Sequence, residues 1–359
     1  MANSAPPNHI LFAGGQQGQL VDATVATDPP NLSQPLINEP AQANPPASIT
    51  ATGPLQYLLG TWTNQNLGQT MMGGPENPYS YNLMILPQVD PESPYGYILK
   101  SMPYYEEITF TAVHGSAANR GGLGTQVSYA ILYEQRVYIA AGPAEDMLVH
   151  FENGIWGYLD DQQQVLGPYG NGNQPGLGNQ FVPNSVPPTQ EFDLFKQISV
   201  PHGNSVLACG LFSSQSGAPT IGPPPQVLPA GINTDAYDSL SVGNLNPDRA
   251  LNPNLPLSQA LAASNVTKYL ELQVDSSKGG GGVTNIGFEQ QHCDVLQYYA
   301  TYWLEALGGS DDYTQLQYSQ TIMMQIPIVQ AGASEPTNIV FPHITANTLT
   351  KVPGSGPSG

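Results

Sequence analysis

The sequence holds six histidines in 359 residues, and they carry most of the reactive chemistry it offers. Imidazole is the commonest side-chain metal ligand and titrates near neutrality. His343 lies in "IVFPHITANTLTKV" (residues 339–352), a run that reads as the final strand. Pro342 removes one ladder N–H just before it, so the strand is expected to be irregular or at an edge there. Phe341 and Ile344 flank the pair with apolar surface. An imidazole so placed can offer Nε2 to a metal whose other ligands come from a flat cofactor; the plain alternative is a partly exposed strand histidine.

His150 stands in "LVHFENGIWGYL". In an extended strand His150, Glu152, Gly154 and Trp156 share one face, and Phe151, Asn153 and Ile155 the other. A histidine beside a glutamate on the face of a tryptophan suits proton transfer or ligand orientation, and suits equally a paired wall position. His114 and His202 each precede a glycine at expected strand ends, where turn histidines are mostly structural. His292 adjoins Cys293, too small a set for a metal site by itself. His9 falls in a Pro-rich leader. Other signatures are missing: there is no HExxH, no GxSxG and no CxxC, and "GGGG" at 279–282 is not followed by the Lys-Ser/Thr of a phosphate loop. Cys209 and Cys293 allow at most one bridge. Asn31 and Asn265 head glycosylation sequons, which matter only in a secreted protein.

The elements around these residues are strands. Short runs rich in Tyr, Ile, Val and Thr recur from "YSYNLMILPQ" to "SVLACGLFS", separated by Gly, Pro and Asn clusters, and none holds a helical period. Val295–Leu307 and Leu316–Ile326 read as a hairpin turned by Gly308, Gly309, Asp311 and Asp312. On the second strand Leu316, Tyr318, Gln320, Ile322, Met324 and Ile326 share an apolar face. "LPLSQALAAS" is the one short helix expected. Some ten strands in meander order without a βαβ pattern point to an all-β fold, an antiparallel up-and-down barrel.

Composition sets limits on partners. The formal charge is −19, with eight Lys plus Arg, so nucleic acid and anionic lipid would be repelled. No apolar run approaches the ~20 residues of a membrane span, and the first residues lack the basic-then-apolar pattern of a secretory signal. A soluble, cytoplasmic protein is the expectation. Residues 1–52 read as an extended Pro-rich arm, 53–352 as a single barrel domain with a Pro/Gly-rich excursion near 214–260, and 353–359 as a disordered tail.

"GPLQYLLGTWTNQNLG" resembles the opening of the nitrobindin-like haem-binding β-barrels, and "VFPHITANTLTKV" resembles their closing strand, whose histidine ligates iron. "HFENGIWGYL", "ISVPHGNSVLACG", "NIGFEQQHCDVLQYYATYWLE" and "LQYSQT" are similar to segments of longer bacterial relatives described as haem-binding proteins. The resemblance covers most of 53–352. It implies a ten-stranded lipocalin- or fatty-acid-binding-protein-like barrel holding non-covalent haem b. His343 would then be the iron ligand, and the Gly60-Thr61-Trp62 step would line or close the pocket. His150, Glu152 and Trp156 match a motif of the longer relatives. Haem with one imidazole leaves a position for nitric oxide or peroxynitrite, so an enzyme of this kind would be a peroxynitrite isomerase or peroxidase-like, with His150 or His114 as distal base. Two other readings stand beside it: a lipocalin-like carrier of an apolar small molecule without haem, and a structural subunit that forms homo-oligomers through its arm.

Overall fold

A computed structural model describes residues 49–65, 80–87, 95–100, 104–113, 115, 117–120, 125–140, 142–162, 192–224, 241–242 and 252–356. His9, His114, Asn31, residues 1–48 of the arm and most of the 214–260 excursion lie outside them.

Ten strands close a barrel: β1 (Gly60–Thr63), β4 (Tyr104–Ala112), β6 (Thr125–Ile139), β7 (Leu148–Gln162), β8 (Leu194–Val200), β9 (Asn204–Ser216), β11 (Val266–Asp275), β13 (Asp294–Leu307), β14 (Tyr313–Ile328) and β15 (Thr337–Lys351). Each pairs antiparallel with the next, and Trp62↔Lys351 joins the last to the first. The expected closed antiparallel barrel of ten strands is therefore the observed one. Five short strands lie beside it. β2 (Tyr81–Pro87) pairs with β15 and β3 (Tyr97–Lys100) with β2, while β10 (Ser241–Val242) lies parallel to β3. β5 (Ala117–Arg120) pairs with β6 and β12 (Gly282–Asn285) with β9. Among the described residues no helix is long and apolar enough to cross a membrane.

The expected helix is present as α1 (Leu255–Ala263); it lays Leu257 on the outer wall against Trp303 and Ala346, and Ala260 is also buried. A second, α2 (Gly287–His292), is only six residues long, too short to show a helical period in sequence. The apolar turn around Leu55–Leu59 is a 3-10 segment (Ile49–Leu58). Ser355 accepts the Thr61 N–H at 2.9 Å, so residues 353–356 of the expected tail are tied to β1.

Alternation along each strand sorts the interior into three levels. The base is apolar: Leu55, Leu58, Trp62, Ile108, Phe110, Trp156, Leu272, Leu304, Leu316 and Leu349 form one buried cluster. Above it lies a polar belt of Glu106, Tyr133, Gln135, Glu152, Lys196, Tyr298, Tyr302, Tyr318, Gln320 and Asn347, all buried. Above the belt the barrel is hollow. On β14 the interior face carries Leu316 at the base, Tyr318 and Gln320 in the belt, and Ile322, Met324 and Ile326 around the hollow. The strand's alternation thus runs through all three levels.

Candidate functional site

The hollow is a cavity of about 470 Å³ with a mainly apolar wall that includes Met84, Val137, Ile198, Val206, Ile322 and Ile326. Its size falls within the range of small-molecule sites, roughly 300–1,000 Å³. All four described histidines, His150, His202, His292 and His343, line it. Cys293 and Glu289 complete the rim. The floor is the belt: Tyr104, Gln135, Glu152, Tyr298 and Gln320.

His343 is half-buried on β15. Its Nδ1–H donates to the Leu83 carbonyl at 2.8 Å. The β15–β2 ladder ends at Ile344↔Leu83, and the next residue but one, Pro342, has no N–H to prolong it. The ladder to β14 continues through Met323↔Pro342 without a register shift, so the proline marks the open side of the strand rather than a break in it. Burial pushes the imidazole down to about 4, only partly offset by the bond to Leu83, and nearby His150 lowers it further. The ring is therefore neutral at pH 7, with Nδ1 committed and Nε2 carrying the lone pair. A metal-bound histidine has this arrangement, its other nitrogen fixed by a carbonyl.

His150 faces it from β7, which lies four strands from β15 through β1, β4 and β6, and six the other way. His150 Nε2 stands 3.6 Å from Glu152 Oε2. Extending the β7–β8 register beyond Asn153↔Ser199 sets His202 opposite His150, with ring centroids 5.9 Å apart. At the mouth, Asn285 donates from Nδ2 to Asp294 Oδ1 (2.8 Å) and the Val295 carbonyl (2.9 Å), which fixes the start of β13 beneath α2. His292 Nδ1 bonds the Phe288 carbonyl, and Cys293 Sγ lies 3.7 Å from Met324 Sδ. Cys209 and Cys293 are both free.

The belt holds the charge. Lys196 is fully buried and donates from Nζ to Glu152 Oε1 (3.3 Å), Tyr298 Oη (2.9 Å) and Tyr302 Oη (3.2 Å). The rings of Tyr133, Trp156, Tyr298 and Tyr302 surround the ammonium at 4.8–5.6 Å. Burial alone would favour the neutral amine, but these groups and Glu152 outweigh it and keep Lys196 charged. For Glu152, burial acts upward, and Lys196, His150 and Tyr133 bring the carboxyl down to about 2. Gly154 makes room for this: it lies opposite Tyr133 in the register, and a Cβ there would meet the Gln197 carbonyl oxygen at 1.9 Å and the Tyr133 ring at 2.9 Å. The Tyr133 hydroxyl then reaches Glu152 at 3.0 Å. On the other side Glu106 accepts from Tyr318, Asn347 and Gln135. Burial raises its carboxyl despite these donors.

Of the residues singled out in the sequence, the structure brings His343, His150 and Glu152 to the cavity. Trp156 and Trp62 sit below the belt in the apolar base, Trp62 donating from Nε1 to the Leu58 carbonyl. Thr61, half-buried, shares a hydroxyl contact with Thr109 and a backbone bond with Ser355. None of these three is among the lining residues. Sequence reasoning missed Lys196, Glu106 and Gln135. For Lys196 a signal existed, since "LFKQISV" places it between Leu194 and Ile198 on an otherwise apolar face. Among the described residues no group of three His, Cys, Asp or Glu side chains is arranged to hold a metal ion by itself. Comparison with protein-family models and with curated proteins gives no match.

Proposed function

We propose that the barrel binds a mainly apolar small molecule in this cavity, and that non-covalent haem held through His343 is the occupant its wall suits best. The observation that carries the reading is the state of His343: neutral, oriented by the Leu83 carbonyl, and set in an apolar wall. The residues fit the group in kind. Haem needs one imidazole ligand and dry apolar surroundings, and it does not need the multi-residue cluster that the cavity lacks. His343 would hold the iron; Ile322, Ile326 and Val137 would exclude water. The charged Glu152 bars the floor to carboxylates, so any acidic edge of an occupant stays at the mouth, near the exposed His202 and His292. Bound haem would supply an iron able to take a small ligand such as nitric oxide or peroxynitrite. On the facing wall, His150 and Glu152 form a pair able to hold a proton close to such a ligand. The nitrobindin-like resemblance of the sequence agrees with this reading.

The test is an absorption titration with hemin on the parent, His343→Ala and His292→Ala. A sharp, stoichiometric Soret band in the parent and His292→Ala, lost or shifted in His343→Ala, is the expected result. The broad band of adsorbed hemin in all three would sink it. A second reading, a carrier without iron, is favoured by one feature of the floor, an amide oxygen on Gln135 with no partner.

A further inference from the structure

Gln135 is buried at the cavity floor with its amide split between two roles. Nε2 donates to Glu106 Oε2 at 2.5 Å, on a carboxylate that also receives the Tyr318 hydroxyl and the Asn347 amide. With Glu106 ionised, its Oε2 can only accept, and the amide turns Nε2 toward it. Oε1 is left without a hydrogen-bond partner among the described residues. A buried amide oxygen with no donor is costly and calls for a partner, which in a pocket wall a ligand can supply.

We infer that the floor at Gln135 is the recognition end of the cavity and takes a neutral hydrogen-bond donor, an O–H or N–H at the tip of an otherwise apolar molecule. The neighbours decide the class. A carboxylate would bring acceptor to acceptor beside the ionised Glu152. An ammonium would find that Glu152 already carries the fully buried Lys196, 3.3 Å away, and that Tyr298 spends its hydroxyl proton on Gln320 Oε1 at 3.0 Å. What remains at the floor is the Gln135 oxygen, an uncharged acceptor below an apolar wall, apart from the His343 lone pair higher up that wall. The inference rests on the cavity being a ligand site, as proposed above. It holds whether the donor belongs to the whole ligand or to a small molecule that shares the cavity with haem.

The experiment measures displacement of Nile red fluorescence from the full chain by 1-decanol, its methyl ether and decanoate. The alcohol and ether share an apolar chain and one sp3 oxygen that can accept, and only the alcohol can donate. Decanol should displace the dye at about tenfold lower concentration than the ether, one hydrogen bond's worth, and decanoate should be the weakest. Gln135→Leu should erase the alcohol preference, read as the ratio of decanol to ether displacement within the variant itself. Repeating the decanol titration on hemin-loaded protein separates the two sources. A perturbed Soret band without hemin release puts the donor beside haem; release of hemin, or binding only without it, makes the alcohol the occupant. Equal displacement by alcohol and ether overturns the inference while leaving the ligand site standing, and that comparison needs no variant. A preference that survives Gln135→Leu also overturns it. If neither Nile red nor hemin binds at all, the ligand-site reading itself fails and this inference goes with it.

Discussion

Replacing Lys196 by methionine keeps most of its volume among the four rings and removes only the charge and its donors. Glu152 would then remain, 2% exposed, with the Tyr133 hydroxyl and His150 as partners. Removing one member of a buried ion pair costs about 3–5 kcal/mol, because the other charge is left uncompensated. For a domain of this size each kcal/mol lowers Tm by roughly 2–4 °C, so Lys196→Met should melt roughly 6–20 °C below the parent at pH 7. Lys196→Met/Glu152→Gln removes both charges, and a buried pair replaced as a whole is close to neutral. The double variant should therefore recover most of the loss, with a double-mutant coupling of about 2 kcal/mol or more. The pH dependence has a definite sign. In the parent Glu152 is depressed to about 2 from 4.5, so its contribution is full above pH 4.5 and is lost as pH falls toward 2. Without Lys196 the same carboxyl should titrate above its unfolded value, so the variant gains relative to the parent as pH falls from 7 to 3. Thermal melts and urea titrations across that range decide it. A single variant within about 1 kcal/mol of the parent, or a double no better than the sum of the singles, would refute the view that this pair anchors the belt.

Two further outcomes follow from side chains whose titration shifts on folding. His343 falls from 6.5 to about 4 on folding; at 1.36 kcal/mol per unit that is about 3 kcal/mol of stability, present above pH 6.5 and lost as pH drops to 4. His343→Gln should flatten that part of the pH–Tm curve, and an unchanged slope would show the histidine is not held neutral. Glu305, buried on β13 with Gln315 donating to it at 2.6 Å, is raised to about 8 by burial. Its neutral form stabilises the fold fully below pH 4.5, and that contribution is lost as pH rises through 8. Glu305→Gln should therefore out-melt the parent at pH 9 and gain nothing at pH 4; equal melting at both ends would contradict the assignment.

Much of the barrel was legible in sequence because strand alternation is a local signal. The hairpin at Gly308 and Gly309 and the interior face of β14 could be read from neighbours alone. So could the facing of His150 and Glu152 along β7. What joins them was not local. Tyr318 meets Glu106 across 212 positions, and His343 meets Leu83 across 260. Only closure of the barrel makes those pairs, so the belt and the floor stayed hidden. His202 was set aside as a turn histidine and His292 as part of too small a pair for a metal, yet both line the cavity, because barrel closure gathers them with His150 and His343. Trp62 was singled out through the family resemblance and Trp156 through the strand face it shares with His150 and Glu152, but both tryptophans fall at the base, where their area stabilises the core.

Chemical rescue can show whether His343 offers its lone pair to an occupant of the cavity. His343→Gly should bind hemin without the parent's sharp Soret band, and millimolar imidazole should restore that band by filling the space left by the side chain. Restoration of the band in His343→Gly is the expected result. A His343→Gly spectrum identical to the parent's, or one that imidazole leaves unchanged, would contradict the claim.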